Sequence, residues 1–168
     1  EDGSVAQYTS LKAAVDAAPV QTPTTIQIVA DMVEGSQVDI YAGKNIILTS
    51  EEPYTITFNI TDGTASRCFN IWSVALTLDG LIMVTTENSA LRALVNVGGS
   101  GSNFCLRAGT LYSANANLSR GIVCVDVEGC FTMVGGEIRG NQSCESRGVY
   151  LQDWEDNGGT VPVTFTME

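Results

Sequence analysis

The chain has 168 residues, a formal net charge of −11 and no histidine. That length suits one domain with a continuous core, and a composition 44% hydrophobic and only 16% charged excludes a disordered tail. The acidic balance argues against nucleic acid and anionic membrane surfaces as partners, and no apolar run approaches the roughly 18 residues of a membrane span.

Glu1 opens no basic and apolar signal segment, so the start reads as a mature or excised boundary. The first predicted element is a helix over Leu11–Ala18. Thr9 or Ser10 can cap it, Leu11, Ala14, Val15 and Ala18 share one face, and Pro19 and Pro23 end it. A short amphipathic helix in this place is suited to cover the open end of a stack of strands. Strands are predicted around Thr25–Val29, Val38–Ile40, Asn45–Leu48 and Thr55–Ile60, separated by Gly35, Gly43-Lys44 and Glu51-Glu52-Pro53.

From Arg67 onward the chain repeats itself. Four phrases, Arg67–Ile71, Arg92–Asn96, Arg120–Cys124 and Arg147–Leu151, begin with arginine and run into alternating apolar residues at nearly even intervals. Apolar-polar-apolar triplets keep the same period: Leu76-Thr77-Leu78, Phe104-Cys105-Leu106 and Phe131-Thr132-Met133. Each is followed by glycine and another apolar residue (Gly80 then Met83, Gly109 then Leu111, Gly135-Gly136 then Ile138), and Val163–Met167 begins the phrase again. A fixed period in the range of roughly 20–50 residues is the mark of a stacked repeat. Alternation with period two makes the units strands, and strands this short gain stability by pairing with their counterparts one repeat along, about 4.8 Å away. The predicted fold is all-β: a single-stranded right-handed parallel β-helix of about five coils, with a short N-terminal capping helix. The whole of 1–168 is one such domain. Its end in mid-phrase, with an uncapped coil, suggests a piece of a longer protein and end-to-end self-association through that coil.

The expected core comprises Ile26, Ile28, Val38, Ile40, Ile46, Leu48, Phe69, Ile71, Leu76, Leu78, Leu94, Phe104, Leu106, Ile122, Cys124, Phe131, Met133, Ile138, Val149 and Leu151. Among the five cysteines, Cys124 is thus expected inside and Cys105 outside, while Cys130 and Cys144 lie near turns where they could meet. The spacing shows no paired disulfide framework and no two-residue metal-ligand motif.

The Leu11–Ala18 helix, Thr24–Ile28 leading to Asp31, Gly43–Ile46, Leu76–Gly80 and Phe131–Ile138 resemble the pectin-lyase-like right-handed β-helices, and in particular the repeat-rich, adhesin-like surface proteins of bacteria. The resemblance runs from about residue 9 to the end, and the matching residues build coils and turns rather than a site. Where such proteins often carry Gly-Gly before a Val-Tyr strand, this chain has Arg120-Gly121 and Arg147-Gly148. The resemblance implies a secreted or surface-attached bacterial protein. It also brings enzymatic precedents. Pectate lyases use acidic clusters, Ca²⁺ and an arginine base; polygalacturonases use several aspartates and a histidine. This chain has no histidine and no adjacent Asp-Asp pair, so no catalytic residues are assigned.

Two constellations remain as candidate sites. Stacked in register, Arg67, Arg92, Arg120 and Arg147 would form a cationic stripe able to hold carboxylates or sulfates in bidentate fashion, as in sialylated or sulfated glycans, uronic acids or acidic protein surfaces. The simpler expectation for them is architectural, with each guanidinium bound to corner carbonyls or to Asp126, Glu128, Glu145 or Asp153. The second is Gln152–Asn157, where Asp153, Glu155 and Asp156 surround Trp154. These are oxygen ligands for Ca²⁺ beside a sugar-stacking indole, but without the spacing or glycine of a calcium loop, so a solvated loop is the plainer reading and no cofactor or metal is assigned. The expected function is a non-catalytic, adhesin-like binding module for a host glycan or a host protein such as mucin or immunoglobulin. Its ligand face is expected to carry side chains that vary from coil to coil, as Asn70, Val95, Val123 and Tyr150 do. A polysaccharide lyase or hydrolase and a passive spacer are the alternatives.

Overall fold

The computed structural model describes residues 5–60, 67–86, 91–114, 118–140, 148–152 and 163–168. Helix α1 (Leu11–Ala17) is followed by β1 (Pro23–Gln27), β2 (Met32–Glu34), β3 (Val38–Ile40), β4 (Asn45–Thr49) and β5 (Tyr54–Phe58). Then come β6 (Arg67–Trp72), β7 (Ala75–Leu78), β8 (Ile82–Thr86), β9 (Ala93–Gly98), β10 (Asn103–Leu106) and β11 (Thr110–Ser113). The last are β12 (Val123–Val125), β13 (Cys130–Met133), β14 (Glu137–Gly140), β15 (Val149–Leu151) and β16 (Thr164–Met167).

Each strand pairs in parallel with the strand three places on. This gives one six-stranded sheet, β1-β4-β7-β10-β13-β16, and two five-stranded sheets, β2-β5-β8-β11-β14 and β3-β6-β9-β12-β15. The chain is a three-sided β-solenoid of about four turns. About five were expected. The five strands of the second and third sheets bound four turns, and only the first sheet carries a sixth strand.

The triplet period is the register of the first sheet. Leu76 pairs with Phe104, Phe104 with Phe131 and Phe131 with Phe165, while Leu78, Leu106, Met133 and Met167 follow two residues along. Inside, the Phe104 and Phe131 rings stack with centroids 5.1 Å apart, and Phe131 stacks on Phe165 at 5.1 Å. Phe58 and Phe69 meet edge to face at 5.0 Å, joining the second and third sheets. The expected core forms, with the ends as exceptions. Ile26, Met133, Ile138 and Val149 are only partly buried and Leu151 is 47% exposed. Ile26, Ile138, Val149 and Leu151 lie on the end strands of their sheets, where neighbours stand on one side only, and Met133 lies one strand from the end of its sheet, against the partly exposed Met167.

Corners are tight where one turn lies on the next. Gly109 has φ +94°, and a Cβ there would come within 2.5 Å of the Ile82 carbonyl oxygen, so only glycine fits. The helix sits as predicted, with Ser10 as its N-cap accepting from the Ala13 amide. Two side chains from the solenoid hold it at both ends. Glu34 of β2 accepts from the Ser10 hydroxyl and the Lys12 amide, each at 2.9 Å, and Lys44 Nζ donates to the Val15 and Asp16 carbonyls at 2.9 and 2.8 Å.

Candidate functional site

The third sheet carries Asp39, Arg67, Trp72 and Tyr150. Its inward residues are Val38 and Ile40, Phe69 and Ile71, Val95 and Val97, and Val123 and Val125, all at most 1% exposed. Alternation therefore turns Asp39, Asn70, Asn96, Cys124 and Tyr150 outward as one column. This corrects the expected outer face. Val95 and Val123 point inward, and Asn96 and Cys124 take their places beside Asn70 and Tyr150. The apolar residues set the pairing, and a one-residue slip would have put Phe69 and Val95 on opposite faces.

The same register breaks the arginine ladder. Arg67 pairs with Ala93, the residue after Arg92, so the first two arginines are out of step by one position. Arg92 and Arg120 are in register, with the Arg120 amide donating to the Arg92 carbonyl at 2.8 Å. Arg147 lies outside the described residues, as do Asp153, Trp154, Glu155 and Asp156 of the second constellation. Arg92 is exposed.

Arg67 and Arg120 nevertheless stand close enough to repel one another. Arg120 Nη1 lies 3.7 Å from Asp126 Oδ2, a pair only 20% and 11% exposed, and its positive charge also acts on the Cys124 thiol. Asp126 Oδ1 accepts from the Val127 amide at 3.0 Å. From the head of β6, Arg67 interacts electrostatically with Arg120, Cys124 and Asp126, two strands along. Burial pushes its guanidinium below its ordinary value, repulsion from Arg120 and Arg92 adds to this, and Cys124 and Asp126 oppose it. Cys124 is indeed buried, but its place is this outer layer rather than the apolar core. Burial raises its thiol pKa, Asp126 raises it further, and the two arginines pull it back.

A polar ladder leads into this cluster. Gln37 and Asn70 both donate to Asp39 Oδ1, at 2.8 and 3.0 Å, and Asn96 Nδ2 donates to Asn70 Oδ1 at 3.3 Å. There the chain of bonds stops. Asn96 is 1% exposed and its Oδ1 has no partner, and the same holds for the buried Arg67 Nε and Gln152 Oε1.

Trp72 was not singled out by the sequence. It pairs with Gly98 at the end of β6 and is 48% exposed, its indole lying over Gly98 and Gly99. A Cβ on Gly98 would lie 2.8 Å from Trp72 Cζ3 and 3.3 Å from Asp126 Cβ, which places the indole directly beside the Arg120–Asp126 pair. The signal in the sequence was Gly98-Gly99 one coil after Trp72, the missing side chains making room for the ring. Ser102 fixes that turn, accepting from the Ser73 amide at 2.6 Å and donating to the Gly98 carbonyl.

Other arginines make separate surface contacts. Arg107 lies 3.6 Å from Asp79 and Arg139 lies 3.7 Å from Glu137, with Arg139 also 5.1 Å above the Tyr112 ring. Among the described residues no three metal-ligating side chains gather, and no helix is long and apolar enough to cross a membrane. An open groove of about 950 Å³ lies at the other end of the molecule, between the stretch Val5–Ser10 and β1, and among the described residues Asp31 is its only charged lining residue.

No family model, curated protein or solved structure matches the chain.

Proposed function

We propose that the chain is a non-catalytic binding module of a bacterial surface, adhesin-like, which recognises a host glycan or host protein through the outer face of its third sheet. The Arg120–Asp126 pair beside the exposed indole of Trp72 carries this reading. The arginines make a locally basic spot on a chain of net charge −11, the place on it most attractive to an acidic ligand. The pectin-lyase-like resemblance and the Thr, Ser and Asn-rich surface agree with an exported protein.

The test is a glycan array together with a host-protein panel that includes mucin and immunoglobulin. Wild type is run beside a variant with Arg67, Arg92, Arg120 and Arg147 changed to Gln. Saturable binding to an acidic ligand, lost in the folded variant, is the expected result. Binding retained by the variant moves the ligand to another face. Release of oligosaccharides during incubation assigns the chain to the polysaccharide-degrading enzymes instead, and a blank screen assigns it to the spacers.

A further inference from the structure

We propose that the corner at the end of the third sheet carries a two-ring strip, Tyr41 and Trp72, that holds successive uncharged pyranose units of a straight β-linked glycan of the cellulose or chitin type. The proposal rests on the glycan reading of this chain and specifies the kind of glycan.

The register makes the two rings neighbours. Ile40 pairs with Ile71 and Trp72 with Gly98, so Tyr41, Trp72 and Gly98 hold the same outward position on three successive coils. The backbone turns the same way after each, with Ala42 at φ +58°, Ser73 at φ +58° and Gly99 at φ +83°. Alanine and serine are disfavoured in this left-handed region by about 1–2 kcal/mol, and strain of this kind gathers at functional sites. The repeated turn gives both aromatic side chains the same starting direction. Unlike the outer residues Asn96 and Cys124, which are buried, this corner is open. Tyr41 is 56% and Trp72 48% exposed, and Ala42 and Ser73 are exposed with them.

Two glycines make the indole a platform. A Cβ on Gly98 would fall 2.8 Å from Trp72 Cζ3, and one on Gly99 2.9 Å from Trp72 Nε1, so the ring lies across both residues. One ring face rests on the backbone and the other is left to solvent. Such a face takes the C–H side of a sugar ring while the hydroxyls stay at the rim in water. Tyr41 and Trp72 stand one coil apart, about 4.8 Å, and the indole leans towards the next coil, so the strip spans two successive sugar units. A glycan that runs straight along the solenoid axis meets both rings, whereas a curved α-linked chain leaves the column after one. The contact needs no charge. The strip ends where Asp126 follows Gly98 in the column and faces Arg120 at 3.7 Å.

The test titrates the whole chain with cellotetraose, chitotetraose, maltotetraose and glucose, all uncharged, and follows the amide NMR signals of Ala42, Ser73 and Gly99. A β-linked tetraose is expected to shift all three saturably, with a Kd about tenfold below those of maltotetraose and glucose. The tighter of cellotetraose and chitotetraose identifies the sugar unit. Trp72→Ala should abolish the shift at Gly99. Tyr41→Ala should weaken binding about tenfold and leave Ala42 unshifted while Gly99 still moves. Gly98→Ala keeps both rings but drives a methyl against the indole, should also weaken binding about tenfold, and serves if Trp72→Ala does not fold by circular dichroism. Maltotetraose binding as tightly as the β-linked chains, binding undiminished in any of the three variants, or no saturation up to about 10 mM, tenfold above a millimolar Kd, overturns the strip. The probes carry no charge and need no host ligand. Array binding without these shifts therefore overturns the strip alone, whereas shifts beside a blank array keep the strip and remove the host ligand.

Discussion

Cys68 and Cys124 are both fully buried, Cys68 within the apolar core and Cys124 in the outer layer, and burial raises the pKa of each thiol. Cys68 is the purer case, opposed only by a hydrogen bond with Thr86. The sign of the pH dependence follows. Above the ordinary thiol range near about 8.5, the unfolded chain gives up protons that the folded chain retains, so the contribution of these thiols is intact below that pH and is lost above it. Urea unfolding is expected to show stability falling between pH 8 and 10, with a slope approaching about 1.4 kcal/mol per pH unit for a fully protected thiol. Cys68→Ala should flatten the curve while lowering it overall. A curve as steep in the variant as in wild type would assign the slope to other groups. The same burial shields both thiols from maleimide in the native protein, whereas the half-buried Cys105 and Cys130, which are free thiols, should be modified first.

At the scale of elements, the helix shows how the solenoid organises what is local. Seven residues are too few for a stable helix alone, and α1 has no acid in its first turn and no base in its last. Glu34 and Lys44 supply both charges from the first coil, the carboxylate at the positive end and the ammonium at the negative end. Glu34→Ala would leave the Ser10 hydroxyl and the Lys12 and Ser36 amides short of an acceptor. A loss of about 1–3 kcal/mol is expected in urea unfolding, with faster hydrogen exchange at Lys12, and Lys44→Met should lose less, about 0.3–1 kcal/mol. If both variants lose the same amount, the helix is held by its Leu11 and Val15 face rather than by this clamp. Neither partner was legible beforehand, because Glu34 and Lys44 lie on strands and turns whose meeting with α1 depends on the closure of the first coil. The triplets were legible in full, since period two within a strand and the recurrence from coil to coil make the same statement about Leu76, Phe104 and Phe131. The arginines mislead for a related reason. Their spacing resembles the repeat, but Phe69 pairs with Val95, which sets Arg67 opposite Ala93 rather than Arg92, and hydrophobic register outranks a matching charge. Trp72 was invisible because its importance rests on two glycines one turn later.

In the whole molecule, stability is a chain of nearest-neighbour terms, each turn held by the turns on either side. The Phe104–Phe131–Phe165 stack tests this directly. Phe131 is fully buried between two rings, whereas Phe165 is partly buried on the last strand of its sheet. Phe131→Ala should therefore lose about 3–5 kcal/mol, and Phe165→Ala clearly less, because its site is open on one side. The distribution of the loss matters more than its size. In a globular core the destabilisation would reach every amide that opens by global unfolding. In a solenoid, Phe131→Ala should raise hydrogen exchange most in β10, β13 and β16, the strands that bond across the lost ring. The amides of β1 and β4, beyond β7 and next to the clamped helix, should keep their protection. Uniform loss across all three sheets would mean that the turns unfold as one unit, and the arginine face would then share the fate of any core substitution. Local loss would mean that the third-sheet site around β6, β9 and β12 can be altered turn by turn without unfolding its neighbours, which is the property a repeat needs if its outer residues are to vary while its core does not.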